Sequence, residues 1–166
     1  MCGIAGLIHR GKSSNVGNEL QNMLQALKHR GPDSTGYALY ANNDGQNFIL
    51  RFKVGENVGE GSTSVNEDES VYNERKKSVD KKLSELGALV VKEEKLTPYS
   101  YRYEIKFDKD LMEFSKAIES IQSVEILSIG KSLELIKDLG DATVVSERYG
   151  LNKVQGTHGI GHARMA

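Results

Sequence analysis

The chain has 166 residues, with 22 Lys+Arg against 23 Asp+Glu and a formal net charge of −1. That length suits one domain, or one domain with a large insertion, and the near-neutral balance gives no electrostatic case for nucleic acid or an anionic membrane as partner. No apolar run reaches the roughly 18–20 residues of a membrane span, no basic-then-apolar leader opens the chain, and one Cys excludes an intramolecular disulfide or a Cys-based metal or iron–sulfur cluster. The cytoplasm is the expected compartment.

Cys2-Gly-Ile-Ala-Gly-Leu-Ile8 is short, apolar and rich in small residues, which predicts a buried strand. Ser13, Ser14, Asn15 and Gly17 break that pattern and offer helix caps. Leu20, Met23, Leu24 and Leu27 then fall on one helical face over 18–28. Arg30-Gly31-Pro32 stops this helix. Residues 36–41 and 48–54 read as two strands of a hairpin around Asn42-Asn43-Asp44-Gly45. Residues 55–82 begin as a Gly- and Ser-rich loop and continue as a charged surface helix, with Arg75-Lys76-Lys77 on a solvated face. Tyr101, Tyr103, Ile105 and Phe107 alternate with charged residues and predict a half-buried strand. Leu111, Phe114, Ile118 and Ile121 predict a helix, and 124–129 another strand. Leu133, Ile136 and Leu139 carry helical spacing, closed by Gly140. Residues 156–166 return to Gly, His and small side chains, and the chain has no internal repeat.

Three segments can carry chemistry. A lone Cys is usually a small buried hydrophobe, but Cys2 has a special position. Once Met1 is removed, one residue offers a thiol and a free α-amine, groups that titrate near about 8.5 and 8 in model peptides. Nucleophile and general base then share a residue. His29-Arg-Gly-Pro-Asp-Ser-Thr-Gly36 reads by itself as a helix stop and a turn into a strand. Gly159-Ile-Gly-His-Ala-Arg164 contributes a guanidinium able to grip a carboxylate with two parallel hydrogen bonds. His158 and His162 have metal-ligand spacing only on a helix, and Gly159 and Gly161 argue against one. Gly130-Lys131-Ser132 is not a phosphate-binding loop, because Glu125 occupies the position of its first Gly.

Met1-Cys-Gly-Ile-Ala-Gly6, His29-Arg-Gly-Pro-Asp-Ser-Thr-Gly36 and Gly161-His-Ala-Arg164, in this order, resemble the class II glutamine amidotransferases. Their glutaminase domains belong to the amino-terminal nucleophile hydrolases. The long middle segment followed by His162-Ala-Arg-Met-Ala166 looks most like the glutaminase subunits and domains of the glutamate synthase group. The resemblance implies an α+β fold, the αββα four-layer sandwich of those hydrolases, here incomplete. Residues 1–54 and 156–166 would belong to it, and 67–148 would be a small inserted α+β subdomain. It also implies that Cys2 attacks the side-chain amide of L-glutamine, with its α-amine as base. Ammonia leaves, and water releases glutamate from the thioester. Arg164 would hold the substrate α-carboxylate. Gly31 and the turn at Arg30 would shape the pocket wall, with Arg30 and Asp33 as architecture of the substrate site. His162 would be structural. No metal or organic cofactor is implied. Ammonia would pass to a synthase domain or subunit, which the inserted subdomain would contact.

The sequence departs from that pattern in one respect. The family forms its oxyanion hole with an Asn-Gly pair after the Arg motif and holds the substrate amine with a later Asp. No Asn-Gly dipeptide occurs here. One oxyanion donor is worth about 3–4 kcal/mol, so the chain is expected to be part of a longer protein and to have little activity alone. Two other readings stay open. One is a non-catalytic glutamine-binding, regulatory or docking module of the same fold. The other is an amino-terminal nucleophile acting on different amide or peptide bonds.

Overall fold

A computed structural model describes residues 2–43, 45–56 and 67–165. In chain order the elements are β1 (Gly3–Ile8), α1 (Val16–Ala26), a 3-10 turn (Lys28–Arg30), β2 (Ser34–Ala41), β3 (Phe48–Lys53), α2 (Glu69–Leu86), β4 (Leu89–Thr97) and β5 (Ser100–Lys106). They continue with α3 (Leu111–Glu119), β6 (Glu125–Gly130), β7 (Leu133–Leu139), α4 (Ala142–Tyr149), a second 3-10 turn (Leu151–Lys153) and β8 (Gly156–Arg164). The fold is mixed α+β, with two antiparallel four-stranded sheets. The chain divides into two compact units, Met1–Asp44 with Ser132–Ala166, and Gly45–Lys131. These limits differ from those read in the sequence: 48–53 falls in the second unit and 132–148 in the first.

The first unit is built on the sheet β1-β8-β2-β7. Helix α1 buries Val16, Leu20 and Leu24 completely. It lies close to β8 because β8 carries glycines beneath it. A Cβ at Gly161 would run into the Leu24 side chain, and one at Gly159 would sit 2.9 Å from Leu39 Cδ2. The opposite face of this sheet is open. Ile4 is 69% exposed, Ile8 76% and Ile160 52%. Strand β1 is therefore not buried on both faces as its composition suggested, because its alternate residues point away from the helix.

Residues 133–139 form a strand and not the expected helix. The inward positions of β7 are Glu134, Ile136 and Asp138, and two acids at buried positions hide the alternation that marks a strand. Asp138 is satisfied there by Arg148 Nη1 at 3.0 Å and the Tyr149 hydroxyl at 2.9 Å, both from α4. Helix α4 begins where Asp141 caps Thr143 and Val144 N–H, at 3.0 and 3.1 Å, and ends at Gly150 in the left-handed region.

The second unit runs β3-α2-β4-β5-α3-β6 with sheet order β4-β5-β3-β6. This is the ferredoxin-like split βαβ arrangement. Its core packs Leu50, Phe52, Tyr101 and Tyr103 against Val79 and Leu83 of α2 and Phe114 and Ile118 of α3. Strands β2 and β3 lie in different sheets, so the predicted hairpin does not form. Strand β4, unforeseen in the sequence, is an edge strand with charges on both faces. The solvated face expected at 75–77 is only partly so. Arg75 donates to Val54 O at 2.9 Å, and Lys76 lies 2.8 Å from both Asp80 and Glu93 carboxylates. The Gly- and Ser-rich loop predicted after Val54 falls largely outside the described residues.

Phe52 is fully buried, with ring centroids 5.4 Å from Tyr101 and 5.1 Å from Tyr103. Phe52→Ala is expected to lower stability by about 3–5 kcal/mol, read as a lower urea midpoint in circular dichroism. A loss below ~1 kcal/mol would show that this core is not close-packed.

Candidate functional site

The register of β8 assembles the site. Its pairing with β1 opens at Gly3↔Ala163 and continues through Ile4↔His162. Its pairing with β2 opens at Ser34↔Arg164. Cys2 is the next residue outward from Gly3, so it comes beside Arg164 at the end of the sheet. Alternation along the strands sets Cys2 with Ile4, and Arg164 with His162, on the open face. The Cys2 thiol is free and exposed, and Arg164 is exposed.

The loop leaving α1 supports this end of the sheet. A Cβ on Gly31 would lie 2.6 Å from the backbone of both Ala163 and Arg164. The loop therefore rests directly on β8, and only Gly leaves it room. Asp33 N–H donates to Arg164 O at 3.2 Å. Gly140 N–H donates to Asp33 O at 2.9 Å, and Thr35 Oγ1 donates to Gly140 O at 2.8 Å. Lys28 Nζ lies 2.7 Å from Asp141 Oδ2. Arg30 and Asp33 are exposed on this loop. The structure thus brings Cys2, Gly31, Asp33 and Arg164 to one corner, with Arg30 adjoining. Burial raises the Asp141 carboxyl, but hydrogen bonds from Lys28, Val144 and Thr143 outweigh it and hold it below its ordinary value of 3.8.

The two histidines of β8 lie on the open face with Ile160 between them. His158 stacks on Tyr40 at 3.9 Å between ring centroids, and His162 sits between Ile4 and Gly36. Among the described residues no group of three His, Cys, Asp or Glu side chains is placed to hold a metal ion, and no helix is long and apolar enough to cross a membrane. The second unit has a cleft of about 360 Å³ lined by Lys53, Glu56, Glu67, Tyr72 and Glu125, which contains none of the residues singled out from the sequence.

Residues 1–49 match the family model described as a glutamine amidotransferase domain. The chain is 32% identical, over its whole length, to "Putative glutamine amidotransferase" of Methanothermobacter thermautotrophicus, of which it covers 52%. It is 28% identical, again over its whole length, to "Glutamine amidotransferase-like protein GlxB" of Rhizobium meliloti, of which it covers 50%. The chain therefore spans about half the length of these curated relatives.

Lys28, Gly140 and Asp141 were not visible as site residues in the sequence. Thr35 and Gly140 are 105 positions apart, and no local pattern links them. Two outcomes follow from this geometry. Gly31→Ala is expected to cost about 1–3 kcal/mol through the clash with β8, measured by urea unfolding; full stability would mean the loop can lift away. The depressed carboxyl of Asp141 stabilises the fold above its unfolded value and loses that effect as pH falls through the folded one. The stability gap between the natural protein and Asp141→Asn should therefore shrink below about pH 4. A gap that stays constant from neutral to acid pH would refute this linkage.

Proposed function

We propose that the first unit carries the nucleophile and the carboxylate-binding part of a class II, amino-terminal nucleophile glutaminase of glutamate-synthase type. One observation carries this reading: the β1–β8 register sets the only thiol of the chain beside an exposed guanidinium on the same sheet face. Removal of Met1 frees the Cys2 α-amine. The amine takes the thiol proton as Sγ attacks the amide carbon of the glutamine side chain. The proton then passes to the departing nitrogen, ammonia leaves, and a thioester remains. Water cleaves it to glutamate and restores the thiol. Arg164 grips the α-carboxylate as a bidentate partner, which fixes how far the amide lies from Sγ.

On this reading the open face of the first sheet is where a second sheet stacks, as in an αββα sandwich. Exposed Ile4, Ile8 and Ile160 suit such a layer. The ammonia goes to a synthase domain or subunit. The Asn-Gly pair that would donate to the oxyanion is not among these residues.

The test is intact-mass analysis of the protein from its native source, before and after a diazoketone analogue of glutamine. Loss of Met1 and one adduct, absent in Cys2→Ala, is expected. Arg164→Ala should raise the analogue concentration for half-maximal labelling about tenfold to a hundredfold, as expected for lost hydrogen bonds to a charged group. Retained Met1 with no adduct would overturn the reading, and glutamine binding without turnover would favour a non-catalytic module.

A further inference from the structure

The loop that underlies Arg164 is tied both to β8 and to the connection between β7 and α4. Arg30, Pro32 and Asp33 are exposed, and Gly31 and Pro32 end the preceding helical turn. Besides its contacts with β8, two hydrogen bonds and an ion pair from the loop and its flanks converge on one corner, the connection between β7 and α4. Gly140 N–H holds Asp33 O, Gly140 O receives the Thr35 hydroxyl, and Asp141 binds the Lys28 ammonium. The Tyr37 hydroxyl donates to Ala142 O at 2.7 Å from a buried position in the same corner.

The corner is itself rigid. Gly140 has φ +116°, and a Cβ there would sit 3.0 Å from Val144 Cγ1, so the turn is specific to glycine. Arg148 Nη1 donates to Leu139 O at 3.0 Å. One carboxylate oxygen of Asp141 accepts from Thr143 and Val144 N–H, and the other faces Lys28. The helix start thus pre-orients the carboxylate. Lys28, whose side chain is 49% exposed, is the flexible partner that it captures.

We infer that the Lys28–Asp141 ion pair and Gly140 are the positioning element for the Arg164 grip, acting on glutamine through the Gly31–Asp33 loop and without touching it. This inference rests on the glutaminase reading proposed above. The loop's own bond to β8 is to Arg164 O, and Gly31 lies against the Ala163–Arg164 backbone. Loosening the loop therefore moves the residue that binds the α-carboxylate more than it moves the thiol, which sits on the neighbouring strand. Lys28 and Asp141 should control affinity for glutamine while leaving the nucleophile's reactivity unchanged.

The experiment compares two electrophiles on Cys2 in the intact protein, by mass spectrometry. The diazoketone analogue of glutamine carries an α-carboxylate, and iodoacetamide carries none. Asp141→Asn and Lys28→Met should each raise the analogue's half-saturating concentration about tenfold, with its maximal rate and the iodoacetamide rate within about twofold, since small displacements of a positioning group act on binding geometry. Lys28→Arg should restore the natural value. An unchanged half-saturation, or an equal loss with both reagents, would overturn the inference. A natural protein whose labelling by the analogue never saturates would overturn the glutaminase reading and this inference with it. Saturation in the natural protein with an unchanged Asp141→Asn would sink the inference alone. Lys28→Met keeps the helix cap intact, so it decides the matter if Asp141→Asn frays α4.

Discussion

Strand β8 is hydrogen-bonded along both edges, by β1 and by β2, and that double pairing sets the backbones of Cys2 and Arg164 side by side. The strand can sit in the middle of the sheet because its inward positions are Gly159, Gly161 and Ala163. Small residues there let α1 press Leu20 and Leu24 against the backbone. A shift of one residue in either pairing would turn Arg164 to the helix side and separate it from Cys2. The glycines that look like loop residues in the sequence are thus what fix the register of the site.

The second unit interrupts the first without breaking its sheet. Strands β2 and β7 pair along their whole length, and Ala41 N–H donates to Ser132 O at 2.9 Å where the chain leaves and returns. Gly45–Lys131 has its own sheet and its own aromatic core. Joining two strand ends that already lie together makes such an interruption cheap in loop-closure entropy. It also explains how residues 105 positions apart, Thr35 and Gly140, come to share a hydrogen bond.

Much of this was legible where one face of an element meets water and the other meets the core. Helix α1, strand β5 and helix α3 carry clear periodicities, and the structure places each within a residue or two of the reading. The failures have separate causes. At β7 the inward side chains include two acids, whose partners Asn43, Arg148 and Tyr149 lie outside the strand, so polarity points the wrong way. At β4 an edge position removes the need for an apolar face. At β1 the small apolar composition implies burial, whereas the strand is half covered. The candidate site divides in the same way. Cys2, Gly31 and Arg164 stand out in the sequence by type and position, but Lys28, Gly140 and Asp141 acquire meaning only when the fold brings them together.

The open face of the first sheet bears on the chemistry as well as on the architecture. Ile4, Ile8, Ile160 and Leu135 are all exposed there, and a contiguous apolar face of this kind marks a surface that another layer covers. Cys2 and Arg164 lie at the end of that same face. On the proposed reading, the layer that buries these side chains also supplies the wall opposite the thiol. It would exclude water from the thioester and strengthen every hydrogen bond to the developing oxyanion, because both effects grow as the local dielectric falls. Burial of the apolar face and completion of the active centre would then be one event. A glutaminase organised in this way would have its nucleophile in place before the second layer docks and its full catalytic power only afterwards.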